Sequence, residues 1–308
     1  METAIVAVAP VLFMLVLGFF LKNGENVHKF NLTNDFWKGI DKLVDYLFFP
    51  AAILGNISAA KVSQSDLFKM LGMVLLGIIA ITLVSWILKL IFRISNAQFT
   101  SLIQGAVKYN NYMFLSIAGS IFIHHNMMVA ATLSAYTIIL MNIFSILIFS
   151  IWNVDDREKS LILLIKNILK NPTIIFSVIA LVMKSLNIEF WSGFSKSLIF
   201  LGNSSFCIAY LIIGSELRFN VMENLTMIAL TNFLKLIGAP LIMFGIVHLL
   251  QISGPERDIC LLFSMMPTGN SQGMSKYFGG DYRLMADISN TGIVMSIITI
   301  PIMLQLLY

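Results

Sequence analysis

The sequence has little charge and almost no cysteine. Only 12% of its 308 residues are charged, whereas a soluble domain carries about a quarter. Its two cysteines, Cys207 and Cys260, both lie in apolar stretches, which argues against a disulfide framework. The sequence motifs of zinc proteases, serine hydrolases and P-loop proteins are absent. These absences argue against a soluble fold and against an enzyme, and we expect no cofactor and no metal.

Apolar residues are abundant instead. They make up 58% of the chain, with 24 Phe and 18 Met, and the mean hydropathy is +0.86. No soluble fold of this size has enough interior to bury so much apolar surface. The net charge of +4 comes from basic residues scattered between apolar runs, a pattern typical of membrane topology determinants and not of nucleic-acid binding. The sequence therefore predicts an all-α integral membrane protein.

Ten runs are long enough to cross a bilayer, which takes roughly 20 apolar residues. The predicted helices 1 to 10 are Thr3–Leu21, Ile40–Ala60, Leu67–Arg93, Thr100–Ile123, Met127–Trp152, Asn171–Ile188, Ser195–Leu217, Met222–Leu250, Arg257–Phe278 and Tyr282–Leu307. The first run lacks the basic start and the cleavage site of a signal peptide, so we interpret it as a membrane helix.

The most charged stretch of the chain, Asn153–Lys159, divides these helices into five plus five. It is followed by an amphipathic segment, Ser160–Lys170. The predicted units are residues 1–152, a charged loop with its lead-in at 153–170, and residues 171–308. Because each half has an odd number of crossings, the halves run in opposite directions, as in the inverted repeats of many secondary transporters.

Basic residues predict the orientation of the helices. The loops that follow odd-numbered helices, with their flanks, contain Lys22, Lys29, Lys38, Lys42, Lys89, Arg93, Arg157, Lys159, Lys166, Lys170, Arg218, Lys276 and Arg283. The opposite side contains only Lys61, Lys69, Lys184, Lys196 and Arg257. We therefore expect the side with more basic residues to be cytoplasmic, and both termini to lie on the outer side of the cell membrane.

Two predicted helices carry residues that are poorly suited to lipid. Helix 4 has Lys108, Asn110 and Asn111 near its centre, and helix 9 contains the run from Met266 to Gly273. The second run includes Pro267, Gly269, Asn270 and Gln272. Proline and glycine weaken a helix, and irregular backbone in a membrane is tolerated only inside protein or beside a wet cavity. We predict that the two helices break and cross at a substrate site formed by these seven residues.

Other polar or helix-breaking residues are weaker candidates for the cavity. A lysine at membrane depth is a functional hypothesis by default, so Lys108 is expected either to neutralise an anion or to bond to a carbonyl. Lys235 in helix 8 and Asp287 and Asn290 in helix 10 either face the same cavity or serve helix packing. Pro50 is expected to kink helix 2.

Several motifs occur in the order of a known family. They are Phe49-Pro50-Ala51, Asn111 before Met113–Ile117, Lys170-Asn171-Pro172, Ile213–Leu217, Met266–Asn270, Ser275–Asp281 and Thr299–Pro301. This arrangement resembles the auxin efflux carrier family of membrane transporters over the whole chain. Asn110 stands where many members have the crossover proline, and Cys207 stands where helix 7 often has one.

The resemblance implies a fold similar to that of sodium/bile-acid symporters. Helices 1, 2, 6 and 7 would form a scaffold, and helices 3–5 and 8–10 a transport unit. It also implies a small organic anion as substrate, such as malate, malonate or auxin, and a homodimer through the scaffold. We therefore expect a secondary carrier that works by alternating access. A sodium-coupled symporter, a membrane-embedded enzyme and a passive channel are the alternatives.

Overall fold

The computed structural model describes residues 2–23, 32–59, 63–122, 124–152, 172–186, 188–217, 224–269 and 271–307. Every regular element in these ranges is helical. The predicted charged loop and amphipathic segment at 153–170 lie outside the described residues.

The helices are numbered so that each matches the predicted helix of the same number. They are α1 (Glu2–Asn23), α2 (34–59), α3 (Gln64–Phe92), α4a (Asn96–Val107), α4b (Asn111–Ile121), α5 (His124–Trp152), α6 (Pro172–Ser185), α7 (Ser192–Glu216), α8 (Leu225–Leu249), α9a (Pro255–Met265), α9b (Gln272–Tyr277) and α10 (Tyr282–Leu307). Helix α2 begins at Asn34, before the predicted start at Ile40, because the Thr33 hydroxyl caps it by accepting from the Phe36 amide.

Five helices in the described part of the chain are long and apolar enough to cross a membrane. These are Ser65–Phe92, Asn126–Trp152, Ser192–Glu216, Leu225–Leu249 and Tyr282–Leu307. Two shorter apolar helices are Ala9–Asn23 and Ile174–Ser185. Such lengths and compositions are those of an integral membrane protein.

Helices α2 and α8 each contain one π-helical turn, at Val44–Phe48 and Leu234–Gly238. A proline follows each turn by two residues, Pro50 and Pro240. Proline lacks an amide hydrogen, and its ring collides with the carbonyl four residues earlier. A widened turn relieves that collision, and such turns are frequent at functional sites. The predicted kink at Pro50 therefore takes the form of a π turn just before the proline.

Helices α1 and α7 approach each other through glycine. A Cβ atom at Gly214 of α7 would overlap the backbone carbonyl oxygen of Leu15, and one at Gly18 of α1 would overlap that of Leu211. Helix α7 also meets α2 closely, since a Cβ at Gly202 would overlap the Cα atom of Ala52. Such small-residue contacts are how helices pack in lipid.

The corner between α9b and α10 sits against the start of α4a. Gly279 has φ of +74°, which favours glycine, and the Asp281 carboxylate caps α10 by accepting from the Leu284 amide at 3.0 Å. The Ser101 hydroxyl donates to the Asp281 carbonyl at 2.8 Å. The Gly-Gly-Asp part of the family-like motif therefore has a structural role.

Replacing Gly214 with alanine is expected to lower the free energy of unfolding by about 1–3 kcal/mol, the usual cost of over-packing. The new Cβ would force α1 and α7 apart. Thermal unfolding in detergent, followed by circular dichroism, measures the change. Gly245→Ala is the matched control, because nothing lies within 4 Å of its added Cβ. Equal losses of stability in the two variants would contradict the close contact.

Candidate functional site

Helix α4 is interrupted at three residues. Helix α4a ends at Val107, and Lys108 and Asn110 have extended backbone, with ψ of 157° and 103°. Helix α4b then begins at Asn111, and the Asn110 side chain caps it by accepting from the Met113 amide at 3.0 Å. The break is complete although no proline stands there, because an asparagine cap stabilises a new helix start.

Helix α9 is interrupted between Met265 and Gln272. Proline at position 267 cannot donate a backbone hydrogen bond, and the extended Met266 just before it matches the preference of a residue that precedes proline. The Gly269 carbonyl lies 3.5 Å from the Ser289 hydroxyl of α10, which donates to it. Asn270, a predicted site residue, lies outside the described residues.

The two interruptions meet each other. The Asn110 backbone N–H donates to the Pro267 carbonyl at 2.7 Å. A Cβ at Gly269 would lie 2.8 Å from the Tyr109 carbonyl oxygen and 3.6 Å from the Asn110 Cα, so only glycine permits this approach. A backbone N–H of one break thus bonds to a backbone carbonyl of the other, and the interior of a membrane requires such internal partners for backbone groups.

A cavity of about 380 Å³ opens beside this crossing, within the roughly 300–1,000 Å³ range of small-molecule sites. Helices α2, α4b, α5, α7, α9b and α10 and both breaks contribute to its wall. Five of the predicted site residues line it: Asn110, Asn111, Gly269, Gln272 and Asn290. The structure thus brings part of the predicted set together around one space.

Asn111 lines the cavity, and its side-chain amide is only partly hydrogen-bonded. Its Oδ1 accepts a hydrogen bond from the Ser134 hydroxyl, and the Tyr109 hydroxyl lies 3.2 Å from the same oxygen. Its Nδ2 is buried and has no partner among the described residues. Because a buried donor without a partner is costly, this amide is a candidate donor to a ligand.

Of the remaining predicted residues, those that the structure describes do not line the cavity. The Lys108 ammonium lies 2.9 Å from the Met274 sulfur of α9b, and Pro267 and Pro50 are buried. Lys235 is 2% exposed and sits in the π turn of α8. Asp287 on α10 is absent from the cavity wall, and its backbone carbonyl accepts from the Thr291 hydroxyl.

Several lining residues were not predicted, among them Asp41 and Asp45 on α2, Tyr112 on α4b, and Glu216 on α7. The signal for Asp45 was present, since it is an acidic residue inside an apolar run five positions before Pro50 and the rule for ionisable residues at membrane depth covers it. All charged side chains among the described lining residues are acidic, whereas the predicted substrate site included the basic Lys108.

Comparison with known families gives one decisive match. Residues 3–304 match the model of a family described as membrane transport protein, the auxin efflux carrier family. The chain belongs to this family. The resemblance drawn from the motifs is thereby confirmed, and the chain is a membrane transport protein. No curated protein matches the sequence.

Asn110 and Asn111 are expected to differ in what they contribute. Asn110→Ala should lower the free energy of unfolding by about 1 kcal/mol, the usual cost of losing a helix cap. Asn110→Ser should retain most of that stability, because serine also caps helices. Thermal unfolding of the purified variants tests this, and identical destabilisation by alanine and serine would show that the cap is not what Asn110 provides.

Proposed function

We propose that this membrane transport protein is a secondary carrier of a small organic anion. The substrate would be a mono- or dicarboxylate, such as malate, or an auxin-like acid. The observation that carries the proposal is the unpartnered Asn111 amide at the cavity, held in place by Ser134 and Tyr109. A carboxylate is an acceptor without donors, so it complements this group.

Neutral donors would hold the anion. Asn111 and Tyr112 form the start of α4b, and the first turn of a helix has backbone N–H groups without helical partners and a partial positive charge. Gln272 lines the same cavity at the start of α9b. Lys108 is not in the wall, so in this arrangement it supplies no direct contact to the substrate. Asn270 remains a proposed second amide.

Alternating access would move one group of helices against the other. The packing supports the division into scaffold and transport helices, since α7 packs against α1 and α2, and α6 packs against α2. Helix α3 packs against α8 and α9a, while α4a packs against α5, α8 and α10. We propose ten crossings in two inverted halves, residues 1–152 and 171–308 with the link 153–170 between them, so that α4 and α9 are equivalent.

The cavity opens where α2 begins and α7 ends, because Asp41 and Glu216 are exposed whereas Tyr109 and Asn110 are buried. The distribution of basic residues assigns that end to the cytoplasm. We therefore propose a cell-membrane carrier in an inward-open state, with both termini outside and with dimerisation through the scaffold helices. The family match does not favour the sodium-coupled symporter.

Asn111→Ala is expected to reduce transport about tenfold or more, because a hydrogen bond to a charged group contributes about 1.5–3 kcal/mol. The measurement is counterflow of radiolabelled malate, malonate and auxin in proteoliposomes. Asn270→Ala is expected to behave similarly. Asn142→Ala is the matched control, because its amide donates to Ile138 within α5 and does not line the cavity.

Two results would refute the proposal. Normal counterflow by both Asn111→Ala and Asn270→Ala would show that the crossing is not the site. Counterflow of choline or glucose, but of none of the acids, by the unaltered protein would show that the substrate class is wrong.

A further inference from the structure

Asp45 lies in the π turn of α2 and faces the crossing. Its carboxylate lines the cavity and is partly buried, and its Oδ1 accepts a hydrogen bond from the Tyr112 hydroxyl at 3.0 Å. Tyr112 directly follows Asn111 in the first turn of α4b. The Asp45 carboxylate on α2 is therefore hydrogen-bonded to Tyr112, the neighbour of Asn111, whose side-chain amide we propose as the donor to the anion.

Tyr112 makes two further contacts with α2 and α7. The centroid of its ring lies 4.5 Å from that of Phe49, and its backbone carbonyl accepts from the Tyr210 hydroxyl at 3.2 Å. Helices α2 and α7 belong to the proposed scaffold, whereas α4b belongs to the proposed transport unit. Any movement of one unit against the other has to break or rearrange these three contacts.

Among the described residues, the titratable groups that share the cavity with Asp45 are acidic or phenolic. Asp41 lies one turn earlier on α2 and Glu216 at the end of α7, and Tyr109 and Tyr112 complete the set. Other titratable residues lie on α2 itself and on the helices packed against this turn, but they do not line the cavity. They include Lys38, Lys42, Tyr46, Lys184, Lys196 and Cys207. An organic anion therefore approaches a wall whose described charges have its own sign, and like charges repel more strongly where water is scarce.

We propose that Asp45 binds a proton that the carrier moves together with its organic anion, an inference that rests on the proposed function. A proton on Asp45 removes one negative charge beside the anion. It also turns an ionised acceptor into a neutral carboxyl group, which weakens the hydrogen bond from Tyr112, because charge-assisted hydrogen bonds are the stronger kind. Binding of the proton thus admits the anion and loosens the contact between the two units.

The step involves one O–H bond only. Water on the open side of the cavity supplies the proton, which forms the O–H bond of the Asp45 carboxyl group. After the units have moved, that bond breaks and the proton returns to water on the other side with the anion. One proton and one anion travel in the same direction, and the next cycle begins with an ionised Asp45.

Proton binding is tested without any substrate. Infrared difference spectra of the full-length protein in lipid, recorded across a pH step, should contain a carboxylic-acid carbonyl component that Asp45→Asn removes. Tyr112→Phe should shift that component, because the carboxyl group loses its hydrogen-bond donor. Asp35→Asn is the matched control on the same helix, since its side chain is 92% exposed and it does not line the cavity. An unchanged spectrum in Asp45→Asn would overturn the proposal.

Coupling is tested by uptake of radiolabelled malate, with potassium and valinomycin holding the membrane potential at zero. For one proton per anion, accumulation at steady state should rise about tenfold for each unit of pH difference. Asp45→Asn should lose this dependence on the gradient while counterflow at equal pH remains measurable. Asp35→Asn should behave as the unaltered protein, and protein-free liposomes give the passive background.

Each result has one meaning. Dependence on the pH gradient that persists in Asp45→Asn would overturn the proposal, even if the infrared component were lost. Absence of malate, malonate and auxin counterflow in the unaltered protein would instead refute the proposed function and, with it, the coupled transport. The infrared result would still report whether Asp45 binds a proton.

Discussion

The hydrogen bond from the Asn110 backbone N–H to the Pro267 carbonyl is the contact on which the site depends. Backbone groups inside a membrane need partners within the protein, so a helix can be interrupted at depth only where another element satisfies it. Here the backbone groups of two interrupted helices bond to each other at one point, and Gly269 allows the two chains to come close enough. The crossing lies beside a cavity whose wall includes the side-chain amides of Asn111, Gln272 and Asn290.

Two prolines shape the helices that surround the crossing. Pro50 and Pro240 each follow a π turn, and each turn holds an ionisable residue, Asp45 in α2 and Lys235 in α8. A widened turn changes the direction in which the side chains of its residues point. The same backbone defect that relieves a proline collision thereby sets where a charge stands inside the membrane protein, facing the cavity for Asp45 and buried among helices for Lys235.

The charges of the cavity explain why a carrier of anions would depend on amides. The described lining residues include Asp41, Asp45 and Glu216 and no basic side chain. Electrostatic attraction alone would draw a cation into such a space. Recognition of an anion therefore has to rest on directed donors such as the Asn111 amide, and on the removal of a negative charge as the anion enters.

The sequence by itself determined the membrane class, the places where helices α4 and α9 break, and the family. These follow from composition, from residues that do not suit lipid, and from motifs that are local in the chain. Only the tertiary structure decided which polar residues share the cavity. Asn110 and Asn111 are neighbours with the same chemistry, yet one caps a helix and the other presents an unpartnered donor. Lys108 was expected either to neutralise an anion or to bond to a carbonyl, and its ammonium lies 2.9 Å from the Met274 sulfur. The direction of a side chain depends on the backbone angles at a break and on the helices packed around it, and neither can be read from residue spacing along one helix.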